Sequence, residues 1–285
     1  MNNEVTKEKW QALSNTWYNA GPPATPSCDD ISIYRQFIST TMRGRNVDSA
    51  LLLGCTPSLR ILMAQLGIAV TCVDINQSMI TNTTSSLGDA VTKESFVCQD
   101  WLKMDLEGKQ FPIIIGDKVF DNVPYENWAI FKDKILLHLS STGSFIVRVA
   151  PQDTLLLGRT FSELLTKWTL LYSKQQLTLR EAASGLWEQA LGASAKIVPG
   201  RQTIDVFTAE IELLTKNFAQ TSEHRKIVLD EFRQLFEHSI KHEWTSYTLG
   251  NVIDALNEEL RLTAIGRAKD YEVAIRQPIL HFVNH

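Results

Sequence analysis

Between Asp48 and Val149 the chain alternates short apolar runs with stretches of helical pattern, and this alternation narrows the available folds more than any other feature. The runs are SALLLG, AVTCVDI, SFVCQDW, FPIIIGD and SFIVRVA. Each is apolar along its length rather than at every second residue, the pattern of strands buried on both faces. Helices that cross between parallel strands supply such double cover. The segment therefore predicts βαβαβ winding: an α/β, Rossmann-like doubly wound sheet with ligand chemistry beyond the carboxyl ends of its strands. WAIFKDKILLHLSSTG is the clearest crossover helix, expected to close at Gly143.

The flanks read differently from this core at 48–150. In the first 47 residues, Trp10, Leu13 and Trp17 predict a short amphipathic helix, GPPATPS an irregular link, and Ser27 with Asp30 a capping box ahead of ISIYRQFISTTM. Ile31, Tyr34, Phe37 and Ile38 share one face of that second helix, so segment 1–47 is expected to be a helical lid on the core. Residues 151–244 are helical in pattern and poor in strand signals, with a second capping box at Thr178 and Glu181. LTAIGRA and QPILHFVNH then restore strand character, so 245–285 is expected to complete the core sheet. The block at 151–244 thus reads as a helical insertion after strand five that covers a substrate at the ligand end of the sheet. A structural or dimer-forming role is the alternative.

With 285 residues and 44% hydrophobic content the chain can bury the core of one or two domains. A net charge of -4 with interspersed acids and bases lacks the footprint of a nucleic-acid binder. No run approaches the roughly 18 apolar residues of a membrane span, and the polar start predicts a cytoplasmic protein with no membrane partner. Cys28, Cys55, Cys72 and Cys98 lack C-x-x-C spacing and are expected to be buried, reduced thiols. His238 and His242 share a helix face without a third ligand, so no metal site is expected.

The candidate site begins at Gly54, where the chain must turn sharply out of strand one. Thr56 and Pro57 then supply an N-cap and a proline at the first helical position. The helix N-terminus favours an anion, yet a single glycine gives less clearance than G-x-G-x-x-G, which suits a carboxylate better than a pyrophosphate. Asp74 ends strand two 20 residues after Gly54, the spacing at which an acid reaches a ribose diol. Asp100 and Trp101 end strand three and offer a carboxylate and an aromatic plane to a base. Adenosine with a carboxylate tail fits all three strand ends.

These segments resemble the class I S-adenosylmethionine-dependent methyltransferases, most of all the small-molecule branch with an N-terminal W…PP…PS…D…Y segment. LLLGCTPSL is similar to the family's first motif, VDINQSMI to its acidic loop, CQDW to its adenine-side loop, and IIIGDKVFDNVP to its fourth-strand motif. The resemblance implies a mostly parallel sheet with an antiparallel C-terminal strand, and S-adenosyl-L-methionine as cofactor with S-adenosyl-L-homocysteine as product. It further implies a cofactor site of Gly54, Cys55, Thr56, Asp74, Ile75, Met79, Asp100, Trp101, Gly116 and Asp117. NVPY at Asn122 nearly matches the N-P-P-Y loop of amino-group methylases but is displaced from strand four.

The expected activity is in-line methyl transfer to a small-molecule O, N or S nucleophile. A hydroxyl acceptor would need a base, for which Asp117, Tyr18 and Tyr125 are the candidates, while Trp17 and Tyr34 are candidate substrate contacts. The expected partner is the methyl acceptor; a homodimer is left open. Two other readings are a non-catalytic protein that keeps the cofactor fold, and an NAD(P)-dependent oxidoreductase, against which the missing glycines argue.

Overall fold

A computed structural model describes residues 11, 14, 20–91, 93–196, 198–217, 221–236 and 239–284. The expected helix around Trp10 to Trp17 lies outside the described residues except for Gln11 and Ser14. Ser14 accepts a hydrogen bond from Asn82, and Ser78 donates to Gln11, on the helix that follows strand two.

Helix α1 (Cys28–Met42) starts at the expected capping box of Ser27 and Asp30. Strands β1 (Ser49–Leu53), β2 (Ala69–Asp74), β3 (Glu94–Cys98), β4 (Phe111–Asp117) and β5 (Leu139–Arg148) then alternate with helices α2 (Pro57–Gln65), α3 (Gln77–Leu87), the short α4 (Val119–Asn122) and α5 (Trp128–His138). After the insertion come α10 (Leu249–Leu256), β8 (Leu260–Gly266) and β9 (Ile279–Asn284). The seven strands lie in the order β3-β2-β1-β4-β5-β9-β8. β1 to β5 pair in parallel, and β9 runs antiparallel to both β5 and β8.

Continuous apolarity has the expected cause. Leu51 and Leu53 of β1 pack with Ile114, Phe145, Phe131 and Ile135 on one face of the sheet, while Ala50 and Leu52 pack with Ile113, Ile115, Tyr34 and Leu62 on the other. Both faces of β1 are covered, so alternation there would have left polar groups buried; β3, expected to be buried on both faces, is instead an edge strand with no buried residue. β8, at the sheet edge, does alternate between exposed and half-buried residues along most of its length.

The insertion builds its own core. α6 (Phe161–Ser173), α7 (Leu179–Ser194) and α9 (Glu223–Phe236) join Phe161, Leu165, Trp168, Trp187 and Phe232, with the short α8 (Thr208–Lys216) adding Ile211. The box at Thr178 and Glu181 caps α7 as expected. Gly185 lies in α7 directly beneath Trp168, where an added Cβ would come within 2.1 Å of the indole. This helix-weakening residue is the one that lets the ring in.

Three local expectations need correction. α5 ends at His138, and β5 begins at Leu139 and runs through Gly143, with an irregularity between Phe111 and Ile113 absorbing the shift in pairing. A two-stranded antiparallel ribbon pairs β6 (Gly200–Gln202) of the insertion with β7 (Trp244–Ser246), which crosses the expected boundary at 244; both are too short to show a periodic pattern in sequence. Cys55 and Cys72 are buried, but Cys28 and Cys98 are exposed.

Candidate active site

A cavity of about 1160 Å³, including its open mouth, lies beyond the carboxyl ends of β1, β2 and β4 and beneath the insertion. Gly54, Cys55, Thr56, Asp74, Ile75, Met79, Asp100, Trp101 and Asp117 all line it.

Gly54 turns the chain with φ +94°, a conformation that suits glycine, and its N–H donates to the Val73 carbonyl at 2.8 Å. Pro57 takes the first turn of α2 as expected, whereas the Thr56 side chain makes no capping hydrogen bond. Asp74 is buried at the end of β2, where Oδ1 accepts the Asn76 N–H at 2.8 Å. Burial raises its carboxyl to about 6, and the Asn76 N–H opposes that shift. The other oxygen, Oδ2, lies 3.9 Å from the point that a Cβ on Gly54 would occupy. A hydroxyl donor in this corner would stabilise the ionised form.

Trp101 donates its indole N–H to the Val73 carbonyl at 2.7 Å, and its ring edge lies 3.7 Å from that same Cβ position on Gly54. The ring is thus held beside both Gly54 and Asp74. Asp100 accepts the Leu102 N–H at 3.0 Å, so it also caps the short turn in which Trp101 sits.

At the β4 end Asp117 lines the cavity, but both its oxygens are engaged. Arg148 donates Nε to Oδ1 at 2.6 Å and Nη2 to Oδ2 at 3.0 Å, and also reaches Asp30 at 3.0 Å. A carboxylate gripped by a guanidinium fork is a poor proton acceptor, so Asp117 does not fit the role of base. Tyr34 is fully buried; its hydroxyl donates to the Gly116 carbonyl at 2.6 Å and accepts the Arg148 N–H at 2.8 Å. It braces α1 against the sheet instead of touching the cavity. Gly116 is also off the cavity wall, packed so closely that a Cβ would meet Val119 at 2.5 Å. Tyr125 is 40% exposed, stacks obliquely on Trp128 and does not line the cavity. Trp17 and Tyr18 lie outside the described residues, as does His238; among the described residues no three His, Cys, Asp or Glu gather to hold a metal.

Several lining residues had not been singled out. Lys118, left-handed at φ +52°, pairs with Glu188 of α7 at 2.7 Å. Asp121 of α4 accepts the Tyr247 hydroxyl, and burial raises its carboxyl to about 7 while the nearby Lys118 charge opposes the shift. Trp187 of α7 and Trp244 of β7 meet edge to face with centroids 6.0 Å apart. Asp121, four residues after Asp117 in the fourth-strand motif, carries a readable signal; Glu188 and the two tryptophans carry none, because their position depends on the insertion folding back.

The sheet order, the antiparallel β9 and the strand-end cavity together are the fold of the class I S-adenosylmethionine-dependent methyltransferases. Solved structures agree over nearly the whole chain. N-methyltransferase NodS from Bradyrhizobium japonicum WM9, in complex with S-adenosyl-L-homocysteine, aligns with a TM-score of 0.53 at 11% identity, covering 97% of this chain and 98% of that one. Magnesium protoporphyrin IX methyltransferase ChlM from Synechocystis PCC 6803, with the same bound product, aligns at 0.51 and 12% identity over 100% of both chains. A Rhodobacter sphaeroides protein provisionally named a Zn-dependent alcohol dehydrogenase aligns at 0.57 and 15% identity, covering 99% and 98%. No protein-family model matches the chain, and no curated protein sequence matches it. Among the described residues no helix is long and apolar enough to cross a membrane.

Proposed function

We propose that this protein is an S-adenosyl-L-methionine-dependent methyltransferase acting on a small-molecule O, N or S nucleophile. The observation that carries this reading is one continuous cavity, with Gly54, Asp74 and Trp101 at one end and Asp121, Lys118 and Glu188 at the other. The first group fits the cofactor: a glycine turn with no Cβ in the way, a carboxylate suited to a ribose diol, and an indole fixed beside both. When bound, S-adenosyl-L-methionine supplies a methyl group already activated on a sulfonium.

The chain's own residues then have three tasks. Asp74 accepts the ribose hydroxyls, Asp100 and Trp101 meet the adenine, and Ile75 and Met79 line the apolar wall between them. The insertion, through α7 and β7, excludes water above the acceptor. The strand-four loop orients the acceptor for in-line attack, where positioning supplies most of the rate. The reading carries with it no nucleic-acid partner, resting on the dispersed charge of -4. The NodS and ChlM structures hold the methylation product S-adenosyl-L-homocysteine, which supports the same cofactor here.

Calorimetric titration with S-adenosyl-L-methionine and S-adenosyl-L-homocysteine, with NAD as control, tests the assignment. Micromolar binding of both sulfur compounds and none of NAD is expected. Binding of NAD alone would replace the proposal with an oxidoreductase.

A further inference from the structure

The acceptor end of the cavity is unevenly charged. Asp117 is neutralised by Arg148, and Lys118 by Glu188. Among the described residues Asp121 lines the same region with no ion pair; the partner seen on its carboxylate is the neutral Tyr247 hydroxyl, which itself accepts the Ala150 N–H at 3.0 Å. Three carboxylates line this region, Asp117, Asp121 and Glu188, and one lining cation, Lys118, faces them; Arg148, behind Asp117, is shared with Asp30.

The apolar side of this region is aromatic. Trp187 directly precedes Glu188 on α7, and Trp244 stands three residues before Tyr247. Thr245, between them, donates to the Val123 carbonyl at 2.8 Å and so ties β7 to the loop that follows Asp121. A buried carboxylate and two indole side chains are thereby brought to the lining of one cavity by three separate segments. That combination suits an organic ammonium: the carboxylate balances its charge, and the indoles give an apolar wall to its organic body.

We propose that the methyl acceptor is an amine, carried as its ammonium ion on an apolar body, and that Asp121 is the residue that holds and deprotonates it. The ammonium passes one proton to the Asp121 carboxylate, leaving the nitrogen lone pair free. That lone pair forms the N–C bond as the C–S bond breaks, and the bonding electrons stay on sulfur as a neutral thioether. The product leaves as the methylated ammonium, and Asp121 returns its proton to solvent. A carboxyl already raised by burial is matched to this exchange near neutral pH.

This inference rests on the methyltransferase reading, and its test separates the two. Wild-type protein and Asp121→Asn are first titrated with S-adenosyl-L-homocysteine; absence of binding to the wild type would defeat the cofactor reading itself. Each protein, saturated with that product, is then titrated at pH 7.5 with three matched pairs: benzylamine and benzyl alcohol, 2-phenylethylamine and 2-phenylethanol, tryptamine and tryptophol. At least one amine is expected to bind the wild type tenfold or more tightly than its alcohol. Asp121→Asn should erase that preference while holding the S-adenosyl-L-homocysteine affinity within twofold. Failure of every amine to bind, equal binding of amine and alcohol, or an undiminished preference in Asp121→Asn would overturn the proposal. Tyr247→Phe, which leaves the carboxylate in place, should keep the amine preference, and its loss there would also count against a direct role for Asp121.

Discussion

Arg148 holds Asp117 through two parallel hydrogen bonds, Nε to Oδ1 at 2.6 Å and Nη2 to Oδ2 at 3.0 Å, with the guanidinium wholly out of solvent. The same guanidinium reaches Asp30 of α1 at 3.0 Å, so one side chain joins the helix before the sheet to the ends of β4 and β5. Burial raises the Asp30 carboxyl above its ordinary value, and Arg148 opposes that shift without cancelling it.

Arg148→Met should therefore strand two buried carboxylates. The expected loss is about 3–5 kcal/mol, the cost of breaking a buried ion pair from one side. Urea unfolding at pH 7.5 measures it; a loss below 1 kcal/mol would mean that solvent reaches the pair.

Asp74 sets a pH dependence on cofactor binding. Its folded value of about 6 lies above the unfolded 3.8, so the folded state binds more protons between these limits and stability falls as pH rises through them. Ribose hydroxyls need the ionised form as acceptor. Affinity for S-adenosyl-L-homocysteine should thus be level from pH 6.5 to 7 and weaken toward tenfold per unit well below pH 6. Calorimetry across pH 5 to 7 checks this, and a flat profile would remove Asp74 from the ribose site.

Asp74→Asn should separate binding from folding. The amide avoids the cost of ionising a buried carboxyl, at most about 3 kcal/mol at pH 7.5 for a shift of this size. A higher Tm with at least tenfold weaker cofactor binding is expected. A lower Tm would mean that the charge itself supports the fold.

Gly54→Ala places a Cβ at φ +94°, 3.7 Å from the Trp101 ring and 3.9 Å from Asp74 Oδ2. Left-handed backbone costs a residue with a Cβ about 1–2 kcal/mol, and the methyl group also takes space beside Asp74. Reduced stability together with weaker S-adenosyl-L-homocysteine binding is expected; unchanged affinity would move the ligand away from this turn.

Gly185→Ala tests the insertion. Alanine favours a helix by about 1 kcal/mol over glycine, yet its Cβ would sit 2.1 Å from the Trp168 ring. Overpacking costs ~1–3 kcal/mol, so net destabilisation is expected by thermal unfolding. A raised Tm would show that the Trp168 ring moves aside freely.

The doubly wound sheet was legible because local pattern and global burial coincide. Parallel strands covered on both faces must be apolar at every position, and Leu51 to Leu53 carry that requirement openly. Gly54, Asp74, Asp100 and Trp101 were legible for a related reason: each sits at a fixed distance from a strand end, and the sheet converts that spacing into a shared cavity. Tertiary structure decided the rest. Tyr34 and Asp117 have the chemistry of site residues, but Arg148, distant in sequence, claims the Asp117 carboxylate, and the Tyr34 hydroxyl is spent on two backbone groups. Trp187, Glu188 and Trp244 acquire a role at the cavity only because the insertion folds back over β4 and pairs Glu188 with Lys118. Periodicity records which face a residue buries; it does not record which distant segment that face will meet.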